Sequence, residues 1–568
     1  MMRSILTAVL ATVCCCAAAP AQSASGVQHA GNRIISGVVL SGVNGQPLEG
    51  ADVVLREVTN MTTPADTTTD AQGRFSFANL PDGRYHLSAM RRGYVQSAYE
   101  EHGGLSTAIV TGEHLDTTSI TLTLPPLGSI FGAITEDSGD PVPRAQLHLF
   151  RQSPMNPEVK QRAGAVAADE VGNFEFPHLA PGAYFLCATG IPWYRPMQQA
   201  QPAAGDNQPR SPLDVAYPLN CYPDSSDPAD AEPVIVNAGD RIQINLTMHP
   251  VPAMRIEVQV PRPGQGQGFT MPMLRQSVFG VSEFVGAGTG IMENTGAATA
   301  PGESRSGESS MTAVIYGLAP GHYDVQMPGG GGPASGPNAA PARFGTIDVS
   351  TSDASIDPSS LAPLAAVSGK LVVPEGASLP ASASLVLVSS GAEQGGFSSI
   401  QPNGRFSIPN VPPGEYEVAL RSSAGLQVTG FRINGAAAGV TLTVGTAPID
   451  LTVQATVAAG QVSGFVQRNG KPASGIFVLL VPADSHAARS AWRPNQSDSD
   501  GSFVFERVVP GEYTVIAIEQ GWTLNWLRRE SIAPYLARGE TFTVQHGSRR
   551  LQLKDPLEAQ PQASQPSN

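Results

Sequence analysis

Asn403-Gly404-Arg405-Phe406-Ser407-Ile408, followed five residues on by Pro413-Gly414-Glu415-Tyr416, is the stretch on which the fold turns. A polar residue before glycine makes a tight reversal, because glycine takes positive φ without steric cost. Phe406 and Ile408 then fall on one face of the next strand and Ser407 on the other, which is the period of a half-buried strand. Pro413-Gly414 breaks that strand and Tyr416 opens another. Upstream, Val367-Ser368-Gly369 supplies a strand with a small residue at its middle.

The same order recurs along the chain. The first copy has Ile35-Ser36-Gly37-Val38, Pro47 to Leu55, Asp70-Ala71-Gln72-Gly73, Phe75-Ser76-Phe77 and Gly83-Arg84-Tyr85. A second has Ile130-Phe131-Gly132, Pro143 to Phe150, Gly172-Asn173-Phe174-Glu175-Phe176 and Pro181-Gly182-Ala183-Tyr184. The last has Val462-Ser463-Gly464, Asp500-Gly501-Ser502-Phe503-Val504-Phe505 and Pro510-Gly511-Glu512-Tyr513. Pro320-Gly321-His322-Tyr323 marks a degenerate third copy. The corner glycines Gly83, Gly182, Gly321, Gly414 and Gly511 are 99, 139, 93 and 97 residues apart, one small β domain per interval. In the strands that close the first two copies, Ile120, Leu122 and Leu124, then Ile242, Ile244, Leu246 and Met248, alternate with polar residues and are expected to point inward.

The Pro-Gly-x-Tyr corner resembles the tyrosine corner of Greek-key sandwiches, whose phenol bonds back to nearby backbone. Tyr85, Tyr184, Tyr323, Tyr416 and Tyr513 are therefore expected to be structural. With that corner in place, copies one, two, four and five resemble carboxypeptidase regulatory-like domains, the transthyretin-like or prealbumin-like family. That family is appended to metallocarboxypeptidases and is scattered through bacterial exported proteins. The resemblance covers about two thirds of the chain; copy three shares only its corner. It implies a seven-stranded, carbohydrate-binding-like sandwich with no shared catalytic residues, and fold alone does not fix function.

Length agrees with several domains, since single cores stop growing beyond roughly 250 to 300 residues. With 60 Gly, 49 Pro and only 14% charged residues in 568, the composition suits short strands and tight turns. The expected organisation is an all-β chain of tandem Greek-key sandwiches. A signal peptide at 1–21 precedes sandwiches at 32–126, 127–250 (with an insertion at 191–232), 251–362 (degenerate), 363–456 and 457–555, then a disordered tail at 556–568. Pro- and Gly-rich stretches at 195–212 and 328–341 read as linkers.

Arg3, the apolar run Ile5 to Cys16, and Ala19-Pro20-Ala21 read as a secretory signal, with an N-terminal anchor as the weaker alternative. No later stretch approaches the roughly 20 apolar residues of a membrane span. The chain is expected to be exported, to the periplasm, the outer surface or beyond. Only Cys187 and Cys221 then remain, and an oxidising compartment favours one disulfide over two buried thiols. A formal charge of −14 without a basic run excludes a nucleic-acid partner.

Catalytic signals are missing. None of the ten histidines begins a His-x-x-Glu or His-Glu-x-x-His pattern. There is no Gly-x-Ser-x-Gly elbow, and no Gly-rich run continues into Lys-Ser/Thr. Asp498-Ser499-Asp500-Gly501 resembles the start of a calcium loop but lacks the glutamate at its twelfth position. The four lysines, Lys160, Lys370, Lys471 and Lys554, exclude an isopeptide crosslink in every module. No enzyme, cofactor or metal is expected.

Aromatic residues outside the repeat are the candidate ligand contacts, since sugars are gripped by exposed flat rings. Trp193, Tyr194, Tyr217, Tyr222 and Asp224 lie in the insertion that a Cys187–Cys221 bridge would tie down. Trp522, Asn525 and Trp526, with Arg528 and Arg529, follow the last corner, where a loop should leave the sandwich. Packing against the sandwich ends is the plainer role for both groups. The leading expectation is glycan binding at the cell envelope or outside the cell, with polysaccharide or envelope proteins as partners. The alternative is a spacer or protein-interaction stalk, elongated and without sugar binding.

Overall fold

The computed structural model describes residues 31–562 apart from 60–64, 154–155, 193, 195–211, 262–270, 286, 294–309, 329–341, 375–378, 381, 390–393, 423–425, 438–440, 458–459, 485–486, 488–490 and 546–548. The expected signal at 1–21, Trp193 and most of both linkers lie outside the described residues.

One strand plan is repeated five times. Opening strands Arg33–Ser41, Gly128–Glu136, Met254–Pro261, Ala365–Val372 and Gly460–Arg468 each pair antiparallel with the strand just before the tyrosine corner. Those partners are Arg74–Leu80, Asn173–Leu179, Ser310–Leu318, Arg405–Val411 and Ser502–Val508. On its other side each opening strand pairs parallel with a closing strand near the end of its unit, for example Ile120–Leu124 and Ile449–Val457. In the facing sheet the corner strands Gly83–Met90, Gly182–Thr189, Gly321–Met327, Gly414–Arg421 and Gly511–Ile518 pair antiparallel with the second strand of the unit.

Each pair of sheets encloses its own apolar cluster. The five clusters are centred on Ile35, Phe75 and Leu122; Ile130, Phe174 and Leu246; Ile256, Ile315 and Val325; Val367, Phe406 and Leu451; and Val462, Phe503 and Val515. Ile120, Leu122, Leu124, Ile244, Leu246 and Met248 are buried as their alternation requires, and Ile242 packs against the second cluster. Sandwich 3 is a full member, with two sheets and a complete core, although its sequence is degenerate.

The corner tyrosines make one bond in every unit. Each phenol donates to the carbonyl four residues back: Tyr85 to Pro81 (3.0 Å), Tyr184 to Ala180 (2.7 Å), Tyr323 to Ala319 (2.6 Å), Tyr416 to Pro412 (2.9 Å) and Tyr513 to Val509 (3.0 Å). Burial pushes Tyr323 and Tyr513 up to about 12, so both phenols keep the proton they donate. Replacing Tyr416 by Phe is expected to cost sandwich 4 about 1 kcal/mol, read as faster amide exchange through 414–421.

The small residue of the opening strand has a steric cause. A Cβ on Gly37, Gly132 or Gly369 would fall inside the carbonyl oxygen of Ile120, Ile244 or Leu451 on the parallel closing strand. Glycine thus permits the close approach of first and last strands. Gly132→Ala is expected to destabilise sandwich 2 by about 1–3 kcal/mol, the usual cost of forced overpacking, measured by thermal denaturation.

Two expectations near the C-terminus are corrected. Residues 556–562 are not a loose tail: Leu557–Glu558 pairs parallel with the opening strand of sandwich 5, and Leu557 and Ala559 join its core. Gln560 is buried and donates to the Tyr535 carbonyl at 3.1 Å. Alternation of Leu553, Leu557 and Ala559 with polar residues supplies an apolar edge that composition alone hides. The segment after the last corner is also no free loop. It forms a 3-10 turn, Gly521–Thr523, and an eight-residue α-helix, Arg529–Leu536, which lays Ile532 and Tyr535 on the outer face of the sheet containing Phe477 and Ile516.

Candidate functional site

Rings expected in the insertion are mostly spent on packing. Tyr217 is buried in the core of sandwich 2, where desolvation pushes its phenol far up, and Tyr222 packs against the same core. Tyr194 donates to Glu136 Oε2 at 3.1 Å. Asp224 is exposed; it accepts from Asn220 Nδ2 at 2.9 Å and faces His249, which also meets Asp137 at 2.7 Å. The two carboxylates hold His249 above its ordinary value against a desolvation effect that lowers it. Cys187 and Cys221 form a disulfide, with S–S 2.06 Å, joining the corner strand to the two-residue strand Asn220–Cys221.

That bridge sits beneath a contact with sandwich 3. The hairpin tip Phe279 inserts against Phe150 and Phe185, with ring centroids 5.2 and 5.3 Å away. Lys160 Nζ lies 4.3 Å from the centroids of both Phe185 and Phe279. Glu283, on the following strand, receives Arg162 and lies 3.5 Å from His148. Phe150, Cys187, Leu219, Cys221, Val278 and Val281 thus form one apolar seam across the two sandwiches.

The second aromatic group also marks a contact, between the two ends of the described chain. Trp526 is buried beside Phe477, and Asn525 is half-buried, its carbonyl accepting from Arg528 N at 3.0 Å. Trp522 stacks on His102 of sandwich 1, with centroids 4.0 Å apart and planes at 14°. Around this stack, Gln496 Nε2 donates to the Glu100 carbonyl (2.6 Å) and Thr107 Oγ1 (2.8 Å). Ser499 N donates to the Ala108 carbonyl at 2.9 Å, and Val110 N donates to Ser499 Oγ at 2.9 Å. Arg84 Nη2 lies 2.6 Å from Asp498 Oδ2, whose side chain is 3% exposed.

Asp498 occupies the same turn position as Asp70 and Asp169. Those two are exposed, and backbone N–H groups hold them below the usual carboxylate range. Asp498 is instead covered by sandwich 1, and desolvation pushes it up to about 6 against the opposing pull of Arg84. Its carboxylate therefore serves docking, which removes the calcium reading of this turn. His102, Thr107 and Gln496 belong to no motif, and Arg84 and Ser499 stand in a corner and a turn whose local pattern says nothing of their contacts; sequence reasoning missed all five for that reason. Residues 389 to 414 positions apart meet directly, so sandwiches 1 and 5 are neighbours in space, unlike the elongated arrangement that the spacer alternative predicts.

Among known families, residues 34–124 match the carboxypeptidase regulatory-like domain. Residues 457–533 match the family described as BOS complex subunit NOMO1-like, second beta sandwich domain. The chain is a repeat β-sandwich protein whose first sandwich is of the carboxypeptidase regulatory-like kind. No curated protein matches it. Solved structures similar to it include the minor pilin GBS52 of Streptococcus agalactiae (14% identity, 38% of this chain and 97% of that one, TM-score 0.20). Two others are the Bacillus anthracis TIE protein (11%, 76% and 76%, 0.17) and two B repeat units of the collagen binding protein of Staphylococcus aureus (10%, 86% and 93%, 0.13). Among the described residues no helix is long and apolar enough to cross a membrane.

Proposed function

We propose that this chain is a non-catalytic, exported binding scaffold of the cell envelope or cell exterior, and that its ligands are glycans. The observation that carries the scaffold reading is the docking of sandwich 5 on sandwich 1. It fixes sandwich 1 against sandwich 5 and so presents the sandwich edges in one arrangement. A spacer needs only length, and a row whose first and fifth sandwiches are joined by an ion pair, a ring stack and backbone hydrogen bonds gives length up. The absence of zinc, serine-hydrolase and nucleotide motifs supports the non-catalytic part. Glycan binding rests on the carbohydrate-binding-like character that the family resemblance implies.

A second reading, a protein-interaction scaffold without sugar binding, is favoured by one observation: Tyr217, Tyr222, Trp522 and Trp526 are engaged in packing. Screening the intact chain on an array of neutral and acidic glycans separates the two. The proposal expects saturable binding to at least one glycan class. No binding by folded protein, together with capture of defined envelope proteins, would favour the second reading.

A further inference from the structure

Sandwich 2 carries a groove of about 350 Å³ lined by Arg151, Gln152, Gln161, Arg162, His178 and Tyr184. It opens where the paired strands Gln146–Ser153 and Asn156–Ala167 pass the tyrosine corner. The volume is within the range of small-molecule sites, about 300–1,000 Å³. From this groove we propose that sandwich 2 binds a carboxylate-bearing sugar unit of an acidic glycan; the proposal rests on the glycan reading above and names its ligand class.

Strand register sets this corner beside that of sandwich 5. Tyr184 faces Arg151 as Tyr513 faces Pro482, so Gly164, opposite Leu149, holds the place that Arg493, opposite Leu480, holds in sandwich 5. Arg493 Nη1 donates to the carbonyls of Glu506 and Arg507 and fills the space beside its own corner. The equivalent carbonyls in sandwich 2 belong to Pro177 and His178. Gly164 has no side chain to reach those carbonyls; a Cβ there would meet the Phe176 ring at 3.5 Å. His178 has φ 61°, at a bulge where sandwiches 1 and 4 place Asn79 and Asn410 at φ 59° and 57°. The left-handed backbone belongs to the repeat, and the imidazole is particular to this sandwich.

Groove chemistry selects the ligand. Arg151 donates to the Pro181 carbonyl at 3.0 Å and stands 5.7 Å from the Tyr184 centroid, and among the described residues it has no carboxylate partner. A guanidinium has five N–H donors, so Arg151 retains donors suited to a planar carboxylate. Arg162 already holds the carboxylate of Glu283, so among the described residues of the groove Arg151 is the cation without a carboxylate. Gln161 and His178 are exposed on the groove wall and offer donors and acceptors for hydroxyls. On a chain of formal charge −14, such a local cationic spot recruits anions that the rest of the surface repels.

The test is titration calorimetry of the intact chain with three probes: a galacturonic acid trimer, its fully methyl-esterified form, and inorganic phosphate. The acid trimer is expected to bind at least about tenfold more tightly than the ester, as the loss of a charge-assisted hydrogen bond requires. Arg151→Gln should abolish that preference. Gly164→Arg, which copies the plug of sandwich 5, and His178→Asn, which copies sandwiches 1 and 4, should each weaken acid-trimer binding. Equal binding of acid and ester, insensitivity to all three variants, or phosphate binding without trimer binding would overturn the site. Glycan binding on the array that ignores these variants would overturn the site and leave the broader glycan reading standing; no glycan binding anywhere would remove both.

Discussion

Arg84→Ala is expected to undock sandwich 1 from sandwich 5 at neutral pH. The substitution leaves Asp498 buried without its cation, and an uncompensated buried charge costs about 3–5 kcal/mol. Docking is an equilibrium within one chain, so the cost appears as opening rather than as global unfolding. The sign of its pH dependence follows from the raised carboxyl. Docked, Asp498 titrates near 6; once the faces part it meets water and returns to the ordinary range near 4. The docked state therefore holds the proton more tightly, and closure gains as pH falls through about 6, with no further gain below about 4. The penalty of Arg84→Ala should accordingly shrink between about pH 7 and about pH 5, because the carboxyl it strands becomes neutral. Asp498→Asn should stay docked at both values. Small-angle scattering of the three proteins at both pH values checks this, through the radius of gyration.

Losing the Cys187–Cys221 bridge is the other large expected effect. The bridge spans a sequence separation of 34, for which the chain-entropy model gives about 3–4 kcal/mol. It also lies in the seam under Phe279, so its loss loosens the floor on which sandwich 3 packs. A Cys187→Ser, Cys221→Ser chain should melt sandwich 2 earlier than the intact protein, and proteolysis should begin within the insertion. Sandwiches 1, 4 and 5 should be unaffected, because each has its own core. Differential scanning calorimetry with limited proteolysis reads both effects.

What the sequence made legible was local. Units one, two, four and five announce themselves by a turn glycine, an alternating strand and a Gly-x-Tyr corner within about twenty residues, unit three by its corner alone, and every corner closes with the same phenol-to-carbonyl bond. Sandwich 3 hid its strands because its opening strand lacks the small pair and its Met254 to Val260 run pairs without it. The docking of sandwich 1 on sandwich 5 depends on residues some four hundred positions apart, and no periodicity records such a contact. Asp498 looked like an ordinary turn residue because locally it is one; its neighbours in space, not in sequence, give it another role. Trp522 and Trp526 were visible as unusual, but exposure, which decides between ligand platform and packing, is a tertiary property. The groove of sandwich 2 is the reverse case: its cationic wall, Arg151 beside Arg162, comes together only once strand register pairs Phe150 with Arg162 and Arg151 with Gln161.

The amide of Ser499 offers the most direct test of the closed arrangement, since it sits in a turn and donates across to the Ala108 carbonyl. Hydrogen exchange of the peptide covering 496–499 should show a slowly exchanging amide in the intact chain and a rapidly exchanging one in Arg84→Ala at neutral pH. Rapid exchange at Ser499 in the intact chain, with the sandwich cores still protected, would mean that the five sandwiches are strung out with their ends apart.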